Sequence, residues 1–548
     1  MGGELCHVAA SGVWFAPRMF KAALPLALLA PLALAAPPAA PPRQPVVALL
    51  PPSSTDANLQ QLGLLIVARA SELTEETKKV NELHHKQVVR AISEEGFNVD
   101  LRVAANADAL RGILGADRAA TFTLEAQGDG LVMEGTVVDG KKPKAFTAKL
   151  PKTWSGALEQ GSVALAKALL PGISLPPKST AQPMSSSEEA LQQLGLCYPI
   201  VLRQPLSPDT PALVDTAELS RAAQACAKAF ELDPKLRFAL AAGALAQAIL
   251  GGDAAAAKNL ALLGEADDML ETYTLARFWL LTRYQSNDAG VAFLNDIIKK
   301  RPGELLARSY LGDTLFALGN WEEAEKAWRT YGELVPNSAW AWGRVSKALA
   351  RMKKFDESLI AARKGFALSA TSTEARLELG SRLIDAGKAA EAKEILEPLA
   401  KLNPPTGEHL LRLGWTHWLL GELEPAQAYF QRAYDVSTAP GEWRTRGRAA
   451  YDLALIEAKR NRPDAAKAAL KLSLASGLKL RDVDPSLTAL VRDVERGDVA
   501  KDGGSGTPVT RPSLLPRESS LFPTDAYGDL DPKAKKPAAP DGLVLYRF

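Results

Sequence analysis

The feature that most limits what this chain can fold into is a spacing. The decamer GNWEEAEKAW (319–328) returns as KKFDESLIAA (353–362), GKAAEAKEIL (387–396) and GELEPAQAYF (421–430), at intervals of 34 residues. The letters drift while the small residues keep register. Gly312, Ser346, Gly380 and Gly414 share one slot, Ala324, Ser358, Ala392 and Ala426 a second, and Gly319, Lys353, Gly387 and Gly421 a third. Gly290 and Ala256 extend the Ala324 slot upstream, and Pro302, Pro336 and Pro404 recur with Pro234 in a fourth. A fixed period of this size is the signature of stacked supersecondary units. Small side chains let two antiparallel helices approach, glycine between them ends the first in a left-handed residue, and proline closes the unit because it cannot continue a helix. One hairpin cannot bury its apolar face alone, so neighbours must stack.

SYLGDTLFALG (309–319) followed by WEEAEKAWRTYGELVP (321–336) resembles the tetratricopeptide repeat. The resemblance covers 203–475, with good units beginning near 271, 305, 339, 373 and 407 and weaker ones near 203 and 237. A last unit near 446 follows a five-residue insertion. PLSPDTP (205–211) interrupts the 203 unit, so EEALQQLGLCYPIVLR (188–203) is expected to supply its first helix. The implied fold is mainly α: a right-handed helical-hairpin solenoid over 188–498, preceded by a small α/β domain. In such arrays the first helices line a concave groove. Helical spacing aims Trp279, Arg283, Asp313, Phe316, Trp340, Lys347, Arg351, Ser381, Asp385, Trp415 and Trp418 at that groove. Trp321 and Trp328 read as core. Aromatic and arginine anchors suit a protein or peptide partner. Some family members clamp a chaperone tail through asparagines in the slot that here holds Trp279, Asp313, Lys347, Ser381 and Trp415, so that clamp is absent.

Ahead of the array, VVALL (46–50) reads as a buried strand, with helices expected over 57–73 and 79–95. NVDLRVA (98–104) reads as a strand, 106–114 as a short helix, and 119–126, 131–139 and 144–150 as a meander closed by a helix over 155–169. This 46–170 domain resembles the N-terminal domain of TolB-like envelope proteins and of the curli-secretion family, through VVALLPPSS, two helices, and ILGADRAATFTLEA before the meander. That resemblance implies an interaction domain of the bacterial envelope. PGISLPPKSTAQPMSSS (171–187) has a linker's composition, and 499–548, rich in Pro, Gly and Ser, that of a disordered tail. LVLYRF at its end resembles the terminal signal of outer-membrane barrels, but no run of barrel strands precedes it.

MFKAALPLALLAPLALAA (19–36) joins a basic flank to a short apolar run ending in small residues. That is the layout of a secretory signal peptide within 1–36, with Met19 a candidate start and a Pro/Ala-rich linker over 37–45. Pro25 and Pro31 interrupt a run already too short to span a bilayer, and no later segment is apolar enough. The mature chain is therefore expected in a bacterial periplasm or envelope, with protein or peptide partners there and no membrane span. Cys197 and Cys226, on consecutive expected helices, form either a disulfide or two buried thiols.

Sixty-five basic against sixty-three acidic residues argue against nucleic acid as the main partner. Catalytic chemistry is equally unsupported. The five histidines, His7, His84, His85, His409 and His417, show no ligand spacing and read as surface or packing residues. GSRLIDAGKAAEA (380–392) lacks the glycine spacing and hydroxyl of a phosphate loop. No enzyme, cofactor or metal is expected. The reading is an exported scaffold that binds partners in its groove, or alternatively a permanent subunit of a secretion, motility or wall-assembly machine.

Overall fold

In the computed structural model, residues 43–95, 99–203, 216–263, 271–402, 405–438, 442–477 and 484–499 are described. The signal segment, most of its linker, the 499–548 tail apart from Val499, Pro404 and the PLSPDTP insertion lie outside them.

The apolar run at 46–50 becomes β1 (Val46–Leu49), buried at every position. Full burial is what a strand with parallel partners and covered faces requires. α1 (Ala57–Glu75) follows, its first turn capped by Asp56 Oδ1, which accepts from Leu59 N. Next come β2 (Asn81–Leu83), α2 (His85–Glu94), α3 (Ala104–Leu114), β3 (Arg118–Gln127), β4 (Gly130–Val138), β5 (Lys144–Pro151) and α4 (Trp154–Leu169). The sheet order is β2-β1-β3-β4-β5; β1 pairs in parallel with β2 and β3, and β3, β4 and β5 form the expected antiparallel meander.

Two expectations fail here. The helix over 79–95 begins only at His85, because Asn81–Leu83 pair with β1 as a three-residue edge strand. No strand forms over 99–103, where the chain turns into α3. The alternation in that stretch was misleading: Leu101 is buried, but Val99 and Val103 are 47% and 49% exposed. A parallel edge strand this short leaves almost no period to detect.

The linker-like stretch is tied down. It contains α5 (Pro177–Ala181), and Arg69 Nη2 donates to the carbonyls of Ser179 and Gln182 at 2.6 and 2.7 Å. Met184 N donates to Glu159 Oε1 at 2.7 Å. Backbone polar groups that a free linker would leave to water are thus satisfied by α1 and α4.

The array follows as helices α6 (Glu188–Arg203), α7 (Thr216–Leu232), α8 (Arg237–Leu250), α9 (Asp253–Leu263), α10 (Glu271–Tyr284), α11 (Asn287–Lys300), α12 (Leu305–Ala317), α13 (Trp321–Leu334), α14 (Ala339–Arg351), α15 (Phe355–Leu368), α16 (Thr373–Asp385), α17 (Ala389–Leu396), α18 (Gly407–Leu419), α19 (Leu423–Val436), α20 (Trp443–Lys459), α21 (Pro463–Ala475) and α22 (Thr488–Val499). First helices start at 237, 271, 305, 339, 373 and 407, and α6 serves as the first helix of the interrupted unit. The last unit starts at Trp443, three residues before the expected 446. The extra length sits at the near end of α20, which runs 17 residues against 13 in α18; its far end keeps register, the left-handed Asn461 following Lys459 as Gly421 follows Leu419. Cys197 and Cys226 are joined by a disulfide across α6 and α7, with Cα atoms 5.5 Å apart.

The repeated slots have distinct mechanics. Gly319, Gly387 and Gly421 turn the chain at φ of 79°, 70° and 77°. Lys353 takes the same left-handed conformation at φ 60°, so the slot demands the turn and tolerates a side chain. Ala324, Ala392 and Ala426 are fully buried at the crossings. In the Gly312 slot, an added Cβ would lie 2.3 Å from Trp328 at Gly312, from Leu396 at Gly380 and from Phe430 at Gly414. The second helix thus presses a large side chain onto the first helix's backbone. In the unit that carries Ser346 instead, the matching second-helix position is Ala362. Size is exchanged across the crossing.

The α/β region and the array share a core. One apolar cluster runs from Val47, Ile66, Phe122 and Leu165 through Leu194, Val201 and Leu245 to Tyr273 and Leu306. A second joins Leu50, Leu83, Val88 and Leu110 to Leu305, Tyr331, Val335 and Ala341. The described residues from Gln44 onward belong to one compact unit.

Candidate functional site

The 34-residue period sets out a row of helix N-termini. Glu304, Ser338, Ser372 and Thr406 are the N-caps of α12, α14, α16 and α18. The Ser338, Ser372 and Thr406 side chains each accept from the backbone N–H three residues on. An N-terminus carries unpaired N–H groups and a partial positive charge, so it receives acceptors and anions.

The α/β region docks along the first three of these N-termini. At the first, His84 Nε2 lies 2.8 Å from Glu304 Oε1 and 3.0 Å from Glu75 Oε1. Arg301 Nη1 stands 3.1 Å from the other Glu304 oxygen. Burial opposes charge on His84, yet Glu75 and Glu304 outweigh it and hold the imidazole well above its usual range. Burial likewise pushes Glu304 up, but His84 and Arg301 bring it below the ordinary carboxylate value. At the second, Gly115 turns at φ +73° so close to Asn337 and Ser338 that a Cβ would sit 2.6 Å from their backbone. At the third, Glu95 accepts from Thr373 N, Glu374 N and Ser372 Oγ, at 2.5, 3.3 and 2.6 Å. Burial raises this carboxyl to about 7, against the pull of those hydrogen bonds.

Between these points α2 presents Gln87, Arg90 and Ala91, residues at helical spacing on one face. Gln87 Nε2 donates to the Tyr331 hydroxyl at 3.2 Å. Arg90 pairs with Asp313 Oδ2 at 2.7 Å and lies over the Trp340 ring at 5.1 Å. Lys86 donates its backbone N–H to Glu271 Oε1 at 2.8 Å and its ammonium to the Leu202 carbonyl at 2.5 Å. Burial lowers that ammonium to about 8, with Glu271 opposing. A cavity of about 40 Å³ remains between Leu83, Gln87, Arg90, Tyr331 and Trp340, room for a water and too little for a metabolite.

The groove residues expected from sequence are dispersed by the structure. Asp313 and Trp340 do face a protein surface, and it is the chain's own α/β region. Lys347 is half-buried, 3.9 Å from Glu374. Asp385 is 3.2 Å from Arg382, in a largely buried set with Glu378. Ser381 is buried and accepts from Arg412 Nε at 3.0 Å. Two groove assignments are corrected. Phe316 and Trp415 are 5% and 3% exposed, packed on Trp328 and Phe430 of their partner helices. Both follow the small slot by one or four residues, so they point into the hairpin seam. Trp418 is half-buried under Lys459, 4.6 Å from its ring centre, and Arg351 covers Phe316 and Trp321. Trp279 packs on Ala248, Ala256 and Leu280. The side chain of Arg283 is outside the described set. Trp328 is core, 1% exposed; Trp321 is half-buried under Arg351.

Sequence reasoning missed His84, Arg90 and Glu95. The available signal was charge among apolar residues: HHKQVVRAISEE carries six ionisable residues, of which His84, His85 and Lys86 are buried and Arg90 and Glu95 half-buried. Among the described residues no helix is long and apolar enough to cross a membrane.

Comparison with curated proteins finds no match. The tetratricopeptide repeat model matches residues 410–439, which is the α18–α19 hairpin. Among solved structures, MamA (41-end) from Desulfovibrio magneticus RS-1 is 15% identical over 31% of this chain and 94% of its own, with a TM-score of 0.26. PilW, a widely conserved type IV pilus biogenesis factor, is 20% identical over 40% of this chain and 98% of its own, at 0.33. Yeast Tom70 is 14% identical over 58% of this chain and 66% of its own, at 0.38. These likenesses are of helical-hairpin stacking, and no partner or activity follows from them. The chain is a solenoid of helical hairpins, one of which matches the tetratricopeptide repeat model, and it carries a small α/β region on its helix N-termini.

Proposed function

We propose that this chain is an exported scaffold of the bacterial envelope, without catalytic activity, that binds protein partners on its helical array. The observation that carries the reading is the array's grip on folded protein. Arg90 on Asp313 and Trp340, and Glu95 on the N-terminus of α16, make a charged and aromatic contact of the kind interfaces use. The array continues beyond that contact through α18–α22. The paired Cys197 and Cys226 support an oxidising compartment, in agreement with the signal-like segment at 19–36.

The test has two parts. N-terminal sequencing of the protein from fractionated cells should find it processed near residue 36 and outside the cytoplasm. Cross-linking in intact cells, followed by mass spectrometry, should return one or a few proteins joined to lysines of 388–475. An unprocessed cytoplasmic chain refutes export, and cross-links confined to the chain itself refute the scaffold.

A further inference from the structure

We infer that Glu75, His84 and Glu304 form a binding site for a single divalent transition-metal ion, zinc(II) in the first instance, that joins the α/β region to the array. The three side chains come from the end of α1, the turn into α2 and the N-cap of α12. Their ligand atoms lie within 4.8 Å of one another, around one point.

The convergence itself is the argument. Two carboxylate oxygens face one ring nitrogen, at 2.8 and 3.0 Å. Nε2 carries at most one proton, whether the imidazole is neutral or charged. One proton cannot be given fully to two acceptors, so the two carboxylates compete for the single Nε2 hydrogen. An ion at the point of convergence satisfies all three atoms. Zinc takes imidazole nitrogen and carboxylate oxygen at about 2.0–2.2 Å in a tetrahedral shell, which sets neighbouring ligand atoms about 3.4 Å apart. The two contacts to His84 Nε2, at 2.8 and 3.0 Å, need lengthen by only about half an ångström.

A second observation points the same way. Glu82 stands two residues before His84 along extended chain, hence on the same side. It is 6% exposed, and its Oε2 has no hydrogen-bond partner. Glu75 and His84 are among the charges that act on it. An unpartnered carboxylate oxygen beside three converging ligands is suited to a fourth position, directly or through a water. An imidazole with carboxylates favours zinc or manganese over magnesium or calcium, which take all-oxygen shells.

The experiment uses the full chain purified without chelator. Elemental analysis should find one zinc or manganese per chain. After stripping, calorimetric titration with zinc chloride should show one saturable site, and the melting temperature should fall on stripping and recover on addition. Glu304→Gln and Glu75→Gln should each weaken zinc binding by at least tenfold while circular dichroism stays native. His84→Gln should do the same; if it fails to fold, the two glutamate variants decide alone. Purified protein that holds no metal and takes up none saturably overturns the inference. So does zinc binding that is unchanged in both glutamate variants, which would place the ion elsewhere on the surface.

Discussion

The crossing at Gly414 offers a test in which one chemical change should have two different effects. Gly414 lies inside α18, and a Cβ there would stand 2.3 Å from Phe430 Cε1. Ordinary contact begins near 3.4 Å, so the ring must retreat by about an ångström. It has nowhere to go: Phe430 is fully buried and packs edge-on against Trp415, with centroids 5.6 Å apart. Overpacking of this kind costs about 1–3 kcal/mol. Gly343 supplies the control. It lies inside α14, and a Cβ there meets nothing within 4 Å. Alanine in place of an interior helical glycine gains about 1 kcal/mol from backbone entropy at both sites. Gly343→Ala should therefore stabilise by about 1 kcal/mol, and Gly414→Ala should come out about 1–3 kcal/mol worse than it. The propensity gain cancels in that difference, leaving the steric contribution alone. Urea unfolding followed by circular dichroism reads both variants, compared at equal slope so that midpoints report stability. Phe430→Leu in the Gly414→Ala background should recover part of the loss. Equal stabilisation by both alanines would refute the close-approach reading of the slot, and with it the account of why the sequence repeats there.

Three further outcomes follow from the described contacts. Cys197→Ala with Cys226→Ala removes a crosslink 29 residues long and should cost about 3–4 kcal/mol by loop-closure entropy, read as a lower melting temperature that reductant reproduces in the wild type. Glu95 is raised from 4.5 to about 7, so the folded state holds a proton the unfolded state releases; its contribution is complete below about pH 4.5 and fades as pH rises through about 7, by at most about 3 kcal/mol. The stability difference between wild type and Glu95→Gln should therefore slope across that window, and a flat difference would count against it. Arg90→Ala should cost about 1–3 kcal/mol, because Asp313 loses its charged partner at a largely buried site, and Asp313→Asn in the same chain should restore some of it.

The array was legible because its rules are local and repeated. Each of Gly319, Gly387 and Gly421 marks a turn, and each of Ala324, Ala392 and Ala426 a crossing, whatever lies around them. The opening α/β region was less so. Asn81–Leu83 is a strand only because β1 lies beside it, and Val99–Val103 alternates without burying both its valines. Groove exposure was harder still. Helical spacing tells which residues share a face, but Trp415 sits at the border between the seam and the open side, and its packing on Phe430 decides the matter. The contact between His84 and Glu304 spans 220 residues of sequence, and no local pattern encodes it.

A module that docks on repeated seats faces a problem of address, because every seat is built alike and a slip by one unit would put it on an almost identical neighbour. Here the seats are told apart by what each displays. His84 requires the carboxylate at 304, where 338, 372 and 406 offer only hydroxyls, and Glu95 requires the open N–H groups and hydroxyl at 372. These two attachments are fixed a set number of units apart. Duplicating or deleting one unit between them would leave every hairpin sound and still make the two attachments incompatible. Units after 407 carry no such constraint. The array should therefore tolerate changes of length only at its far end, with its first half locked to the size of the module it carries.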